Sequence, residues 1–299
     1  MSTKITSTAN QAVKHALSLH KVSARKREGL FVIEGVREIR LAMRAGYQFH
    51  ALFYCPAVAG QGAGVPMPEG PDQAEAATGT ARSGYSGRFD EAVDIVETLT
   101  GQARIIEITA NVFSRLAYRE GSGGLLAVAR QKKLLPEELA PGDNPLVLVA
   151  ESVEKPGNLG AILRTADAAG VDAVLVCDSA TDIYNPNVVR ASLGTLFTVP
   201  VACCTSSEAI GWLKARDIRI FATSLNAPVP YHQAGFTGPC AIVAGAEATG
   251  VSPAWQENSD ANIIIPMYGK VDSMNVSAAV SIVVYEALRQ RGFRQGGRA

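Results

Sequence analysis

The sequence predicts an α/β protein whose C-terminal half forms an open parallel sheet, preceded by a smaller N-terminal α/β unit. Three observations carry the prediction. Short apolar runs recur at residues 146–150, 173–177, 218–223, 241–244 and 262–265 without the polar alternation of a half-exposed sheet, as strands covered on both faces require. Segments able to start helices follow them, near Asn158, Pro186, Ser207, Ser252 and Asn275. Three of the strands run into polar, Gly-containing loops, which places those loops at the carboxyl edge of the sheet, where open α/β folds bind ligands.

In chain order, Asn10 can accept from the free N–H groups of a helix running through Lys14 and Leu17. Residues 31–35 read as a strand and turn, 36–45 as a helix stopped by Gly46, and 52–55 as a strand closed by Pro56. Residues 57–88 are Gly/Ala/Pro-rich without a sustained period and read as a flexible insertion. A helix at 91–100, a strand at 103–108, a helix at 110–117 and a strand at 125–129 complete a first domain, 1–135. The Pro136 and Pro141-Gly-Asp stretch makes 136–144 a linker into a second domain, 145–299.

Three loops of the second domain hold the candidate chemistry. The first is Glu151-Ser-Val-Glu-Lys-Pro-Gly-Asn158-Leu-Gly160-Ala-Ile-Leu-Arg164 and the second Gly245-Ala-Glu247-Ala-Thr-Gly250. The third is Ile265-Pro-Met267-Tyr-Gly269-Lys-Val-Asp-Ser273-Met274-Asn275-Val-Ser277. Here Ser273, Asn275 and Ser277 can accept from the first backbone N–H groups of the helix that follows, leaving Ser273 or Asn275 to hold a substrate hydroxyl or carboxylate. A dinucleotide-dependent oxidoreductase competes for this alternation. It needs Gly-x-Gly-x2-Gly straight after the first strand and an acid about twenty residues on. The first loop instead offers Asn158-Leu-Gly160, and Glu247 stands where a later loop would need glycine. A carboxylate there repels pyrophosphate and suits a sulfonium ligand or a ribose hydroxyl.

Taken in order, these motifs resemble those of the SpoU branch of the SPOUT methyltransferases, the TrmH family of RNA ribose 2′-O-methyltransferases, over roughly residues 145–290. The resemblance implies a deep trefoil knot in the C-terminal sheet, an S-adenosylmethionine cofactor and a structured RNA substrate, ribosomal before transfer RNA; a silent RNA-binding relative is the other reading. It implies cofactor contacts from Gly245, Ile265 and Met274, where the family usually has Leu, with Met267, Gly269, Thr223 and Asn226 also lining the pocket. Arg164 matches the arginine credited with activating the ribose hydroxyl. A guanidinium is a poor proton acceptor, so stabilising the developing alkoxide and binding a phosphate suit it better. Asn158 and Ser273 would orient the ribose or Arg164, Asn275 would brace the loop, and Glu247 would pair across the site. The segment from Tyr184 also matches, with Arg190 and Ser192 starting a helix near the catalytic edge, within reach of RNA or a partner subunit. The N-terminal pattern resembles the L30e-like substrate-binding domain of many members.

The formal net charge is zero, but its distribution is uneven. Residues 1–50 hold Lys4, Lys14, Lys21, Arg25, Lys26, Arg27, Arg37, Arg40 and Arg44 against Glu28, Glu34 and Glu38. Lys21, Arg25, Lys26, Arg27 and Arg37, with Arg190, are therefore expected to meet phosphates. The C-terminus repeats the bias with Arg289, Arg291, Arg294 and Arg298. Five cysteines without Cys-x2-Cys spacing argue against a metal and for buried, reduced thiols in a cytoplasmic protein. The first residues lack an apolar signal region, and no apolar stretch reaches membrane-spanning length. The helix from Asn275 to Gln290 carries Val276, Ala279, Val280, Val283, Val284, Ala287 and Leu288, more apolar residues than one buried stripe needs, so a homodimer through the C-terminal domain is expected.

Overall fold

The run Leu146–Glu151 (β6) is buried along its whole length, and a sheet covered on both faces forms around it. The computed structural model describes residues 3–59, 83–118, 123–247 and 249–293, and the chain divides into two units, Met1–Gln131 and Lys132–Ala299. In the second unit β6 is followed by α7 (Pro156–Ala168), β7 (Ala173–Cys177), α8 (Pro186–Ala191), β8 (Val201–Cys204) and α9 (Ser206–Lys214). Then come β9 (Arg219–Thr223), β10 (Val229–Pro230), β11 (Cys240–Ala244), α10 (Pro253–Asn258), β12 (Ala261–Ile264) and α11 (Val276–Gln290). The strands lie in the order β10-β12-β9-β11-β6-β7-β8, every pairing parallel. From β6 the chain steps outward to β8, then crosses back to lay β9, β11 and β12 on the other side. Such a reversal opens a crevice at the carboxyl edge of the sheet.

Two contacts position α7 at the carboxyl edge of the sheet. Gly160 lets α7 press on α8, because a Cβ there would lie 2.4 Å from the Ala191 Cβ and 2.9 Å from the Ser192 backbone nitrogen. Thr165 of α7 and Ser281 of α11 share a hydroxyl hydrogen bond of 2.8 Å. Trp255 is fully buried, its Nε1 donating to Ser206 Oγ at 2.9 Å. The C-terminal end of α11 is fixed by Arg291, which donates to the carbonyl oxygens of Phe236, Asn144, Pro145 and Gly238.

The first unit contains β1 (Thr3–Ile5), α1 (Gln11–Ser18), α2 (Val22–Glu28), β2 (Leu30–Glu34), α3 (Val36–Arg44) and β3 (Phe49–Tyr54). It continues through α4 (Pro56–Ala59), α5 (Ser83–Leu99), β4 (Arg104–Ile108), α6 (Ala110–Leu116) and β5 (Leu125–Arg130). Its sheet order is β1-β4-β3-β5-β2, with β5 antiparallel to both neighbours. Asn10 caps α1 as expected, accepting from Ala12 N at 2.9 Å.

Several expectations need correction. Both described ends of the 57–88 segment are helical, in α4 and α5; residues 60–82 lie outside the described residues. Arg25 is only 1% exposed, its guanidinium donating to the carbonyls of Leu19 and His20 at 2.8 and 2.9 Å, so it ties α1 to α2 rather than facing a phosphate. Arg27 pairs with Glu28, Lys4 with Glu107 and Arg40 with Glu91, which breaks the expected patch into separate pieces. At the other terminus Arg289 pairs with Glu286 and Arg291 is committed to backbone carbonyls; Arg294 and Arg298 lie outside the described residues. Of the five thiols, Cys55, Cys177 and Cys240 are buried but Cys203 is exposed. Arg190 and Ser192 close α8 rather than start it, and Ser192 is buried, its hydroxyl donating to the Val189 carbonyl.

Candidate active site

The carboxyl ends of β9, β11 and β12 and the start of α11 enclose a cleft of about 260 Å³. Of the expected cofactor contacts, Thr223, Asn226, Gly245, Ile265, Met267 and Met274 line it, joined by Ser273 and Glu247; Gly269 does not. Its floor is apolar, from Val251, Ile263 and Val276, and its rim polar, from Ser224 and Thr249. The loop after β11 turns back sharply, Gly250 N bonding to Ala246 O at 2.8 Å. That leaves no room for a side chain at position 245, where a Cβ would sit 2.2 Å from the Gly250 carbonyl carbon.

A buried carboxylate holds this turn. Glu151, at the end of β6 and 3% exposed, accepts from Ser252 N at 2.8 Å and Ser206 Oγ at 3.3 Å. The sequence carries a signal for it that went unread: an acid closing an otherwise apolar strand.

Beside the cleft, the first and third loops meet. Asn275 Nδ2 donates to Asn158 Oδ1 at 3.1 Å, while Asn275 Oδ1 caps α11 by accepting from Ser277 N at 3.0 Å. Asn275 alone forms the cap; Ser273 makes no hydrogen bond among the described residues and faces the cleft. Glu247 Oε2 pairs with Lys155 Nζ at 2.7 Å, and the carboxylate raises the lysine above its usual pKa. Among the described residues, the second Glu247 oxygen and Asn158 Nδ2 are buried without a partner, one an acceptor and the other a donor. Arg164 is exposed on α7, outside the cleft lining, and no described residue pairs with it. Lys155 is a site residue that sequence reasoning passed over; its pairing with Glu247 spans two loops that only the fold brings together.

This geometry has counterparts. A family model for the SpoU rRNA methylase family matches residues 145–285, and one for the MRM3-like substrate-binding domain matches residues 10–127. The 23S rRNA (guanosine-2′-O-)-methyltransferase RlmB of Pectobacterium atrosepticum is 34% identical over 214 residues, 69% of this chain and 88% of its own length. The chain belongs to the SpoU rRNA methylase family. Among solved structures of the family, an RNA 2′-O ribose methyltransferase is 35% identical with a TM-score of 0.75, the match covering 96% of this chain and 99% of that one. The SpoU methyltransferase AviRb from Streptomyces viridochromogenes, solved in complex with AdoMet, is 26% identical with a TM-score of 0.78, covering 97% and 100%. Membership accounts for three motifs converging on one sheet edge. Among the described residues no group of His, Cys, Asp and Glu could hold a metal ion, and no helix is long and apolar enough to cross a membrane.

Proposed function

We propose that this chain is an S-adenosylmethionine-dependent methyltransferase acting on a ribose 2′-hydroxyl of ribosomal RNA. The observation that carries the reading is the cleft at the ends of β9, β11 and β12, with Gly245, Glu247, Ser273 and Met274 on its wall. Its mixed lining suits an adenosyl group: Ile263, Ile265 and Val276 give apolar cover, while Asn226, Thr249 and Ser273 can bond polar atoms. The unpaired Glu247 oxygen supplies the negative potential that a sulfonium favours. Once bound, the cofactor supplies a methyl group carried on a positively charged sulfur. AviRb, which is solved with AdoMet, supports the assignment.

The chain's own residues then align and activate the nucleophile. Methyl transfer to oxygen is an in-line displacement, so orientation of the ribose matters most. Asn158, held by Asn275, keeps a free donor, and Glu247, held by Lys155, keeps a free acceptor; together they match the two roles of one hydroxyl. Arg164 stabilises alkoxide charge as the 2′-hydroxyl proton passes to the free Glu247 carboxylate oxygen. In this reading the C-terminal sheet carries the trefoil knot of its family, the first unit is the L30e-like RNA-gripping domain, and an rRNA substrate places the enzyme in the cytoplasm. Tritiated methyl transfer from S-adenosylmethionine to rRNA from a strain lacking the gene tests the activity. Label in that RNA alone, mapped to a single 2′-O-methyl position, is the expected result; label in transfer RNA or in none would overturn it.

Of the N-terminal cations expected to meet phosphates, Lys21, Lys26 and Arg37 are exposed and remain suited to that role. Replacing all three by glutamine is expected to reduce the log–log salt slope of RNA binding by roughly 0.7–0.9 per lost contact. An unchanged slope would make them solvated surface.

A homodimer through α11 belongs to the same proposal, on a narrower basis than the sequence implied. Val276, Val280, Val283, Val284 and Ala287 are already buried within the chain. Ala279 lines the cleft and Leu288 is half-buried, and beside them Ala278, Ile282 and Tyr285, the last 46% exposed, are spaced to form one outer helix face. An isologous contact would cover it. Light scattering at micromolar concentration should return twice the chain mass, and Tyr285→Glu should halve it; a monomeric wild type still active on RNA would exclude the dimer.

A further inference from the structure

The first unit has a cavity of its own, about 350 Å³, where β3 begins and β5 ends. Tyr47, Gln48, Phe49, His50, Gln102 and Arg130 line it, and no carboxylate does. A register shift between Phe49 and Ala51 in the β3–β5 pairing makes His50 an extra, bulged residue. In a regular strand Phe49 and His50 would point to opposite faces; the bulge turns both toward one cavity, the use to which bulges are often put beside functional sites. The wall is fixed from behind. Arg130 N bonds to Gln48 O at 2.8 Å, and the Tyr47 ring packs edge-on against buried Phe31, centroids 5.9 Å apart.

We infer that this cavity is a subsite for one unpaired RNA base, stacked on Tyr47 and Phe49. Gln48 and Gln102 each offer an acceptor and a donor, the pairing that the edge of a base presents. Gln102 does so through the Nε2 hydrogen left over from its 3.0 Å bond to the Thr98 carbonyl. The exposed Arg130 guanidinium suits the adjoining phosphate. Single-stranded RNA is read in this way, by aromatic stacking and edge hydrogen bonds, whereas a paired helix hides its bases. The cavity is large enough for a base and its sugar edge. Against a peptide, the lining holds a single aliphatic side chain, Leu99, and no acidic group to meet amino groups. The inference rests on the proposed RNA substrate and adds to it a site far in sequence from the methyl-transfer motifs.

The test uses the full chain and a single-stranded RNA hexamer with 2-aminopurine at a central position. Stacking should quench its fluorescence on binding. Tyr47→Leu, which keeps the packing on Phe31 but removes the stacking face, should weaken binding about tenfold and restore fluorescence. The exposed Arg130→Gln should leave quenching in place and lower the salt slope by roughly 0.7. Far-ultraviolet circular dichroism and thermal unfolding of the full chain, unchanged in both variants, report that they are folded. No quenching by the wild type, quenching undiminished in Tyr47→Leu, or equal competition by a fully paired duplex would each overturn the subsite. Methyl incorporation into rRNA is read separately, so absent quenching with intact methylation removes the subsite alone.

Discussion

Replacing Arg164 by alanine should slow methyl transfer roughly 10²–10³-fold, the range for losing one group that stabilises developing oxyanion charge, while S-adenosylmethionine affinity stays within about twofold. The two effects separate because of where the residue sits. Arg164 is exposed on α7, outside the cofactor cleft, and no described residue shares its charge. Its removal therefore leaves no buried partner stranded and should not disturb the fold. Arg164→Lys should restore only part of the rate, since an ammonium keeps the charge but not the planar fork that grips phosphate and alkoxide together. Single-turnover methylation and calorimetry on the same preparations make the comparison. Cofactor affinity falling in step with the rate would contradict the role given to Arg164.

The elements that sequence reasoning placed well are those whose burial is uniform. β6, β7 and β11 are buried at every position, so their apolar runs announce them, and Asn10 marks a helix start that it does cap. Elements without such a signal went unseen. Helix α2 buries only Ala24 and Arg25, which leaves no apolar stripe to find. Strand β1 spans three residues at the sheet edge and β10 two, too few for a period to show. β8, four residues ending in Cys203 and Cys204, buries only its first two.

Within the site, Thr223, Gly245 and Ile265 stand at or beside strand ends, where topology directs them to the cleft, whereas Met267, Ser273 and Met274 lie further along the loop and were placed by the resemblance to the family. The mutual contacts of the site residues were not legible. Asn158 and Asn275 are 117 residues apart yet share a hydrogen bond, and Lys155 reaches Glu247 only because β6 and β11 are neighbours in the sheet. Arg25 shows the opposite failure. In a run of cations it looks like part of a phosphate-binding surface, and only its burial shows that it serves the backbone carbonyls of Leu19 and His20.

Gly245→Ala should abolish cofactor binding, with affinity falling at least about a hundredfold and stability by roughly 1–3 kcal/mol, as overpacking typically costs. The added methyl would lie 2.2 Å from both the carbon and the oxygen of the Gly250 carbonyl and 2.3 Å from Val251 N. These are backbone atoms, so no side chain can rotate away to make room. Nor is the turn free to shift: Gly250 N is bonded to Ala246 O, and Ser252 N to the buried Glu151 carboxylate. Relief has to come from displacing the segment from Thr249 to Val251, which forms one wall of the cleft. Gly211→Ala on α9, where a Cβ meets nothing within 4 Å, is the matched control and should stabilise the protein by up to about 1 kcal/mol through helix propensity. Thermal unfolding would report both stability changes, and calorimetry with S-adenosylhomocysteine would report the affinity. Unaltered affinity in a folded Gly245→Ala protein would mean that the turn after β11 does not shape the cofactor site.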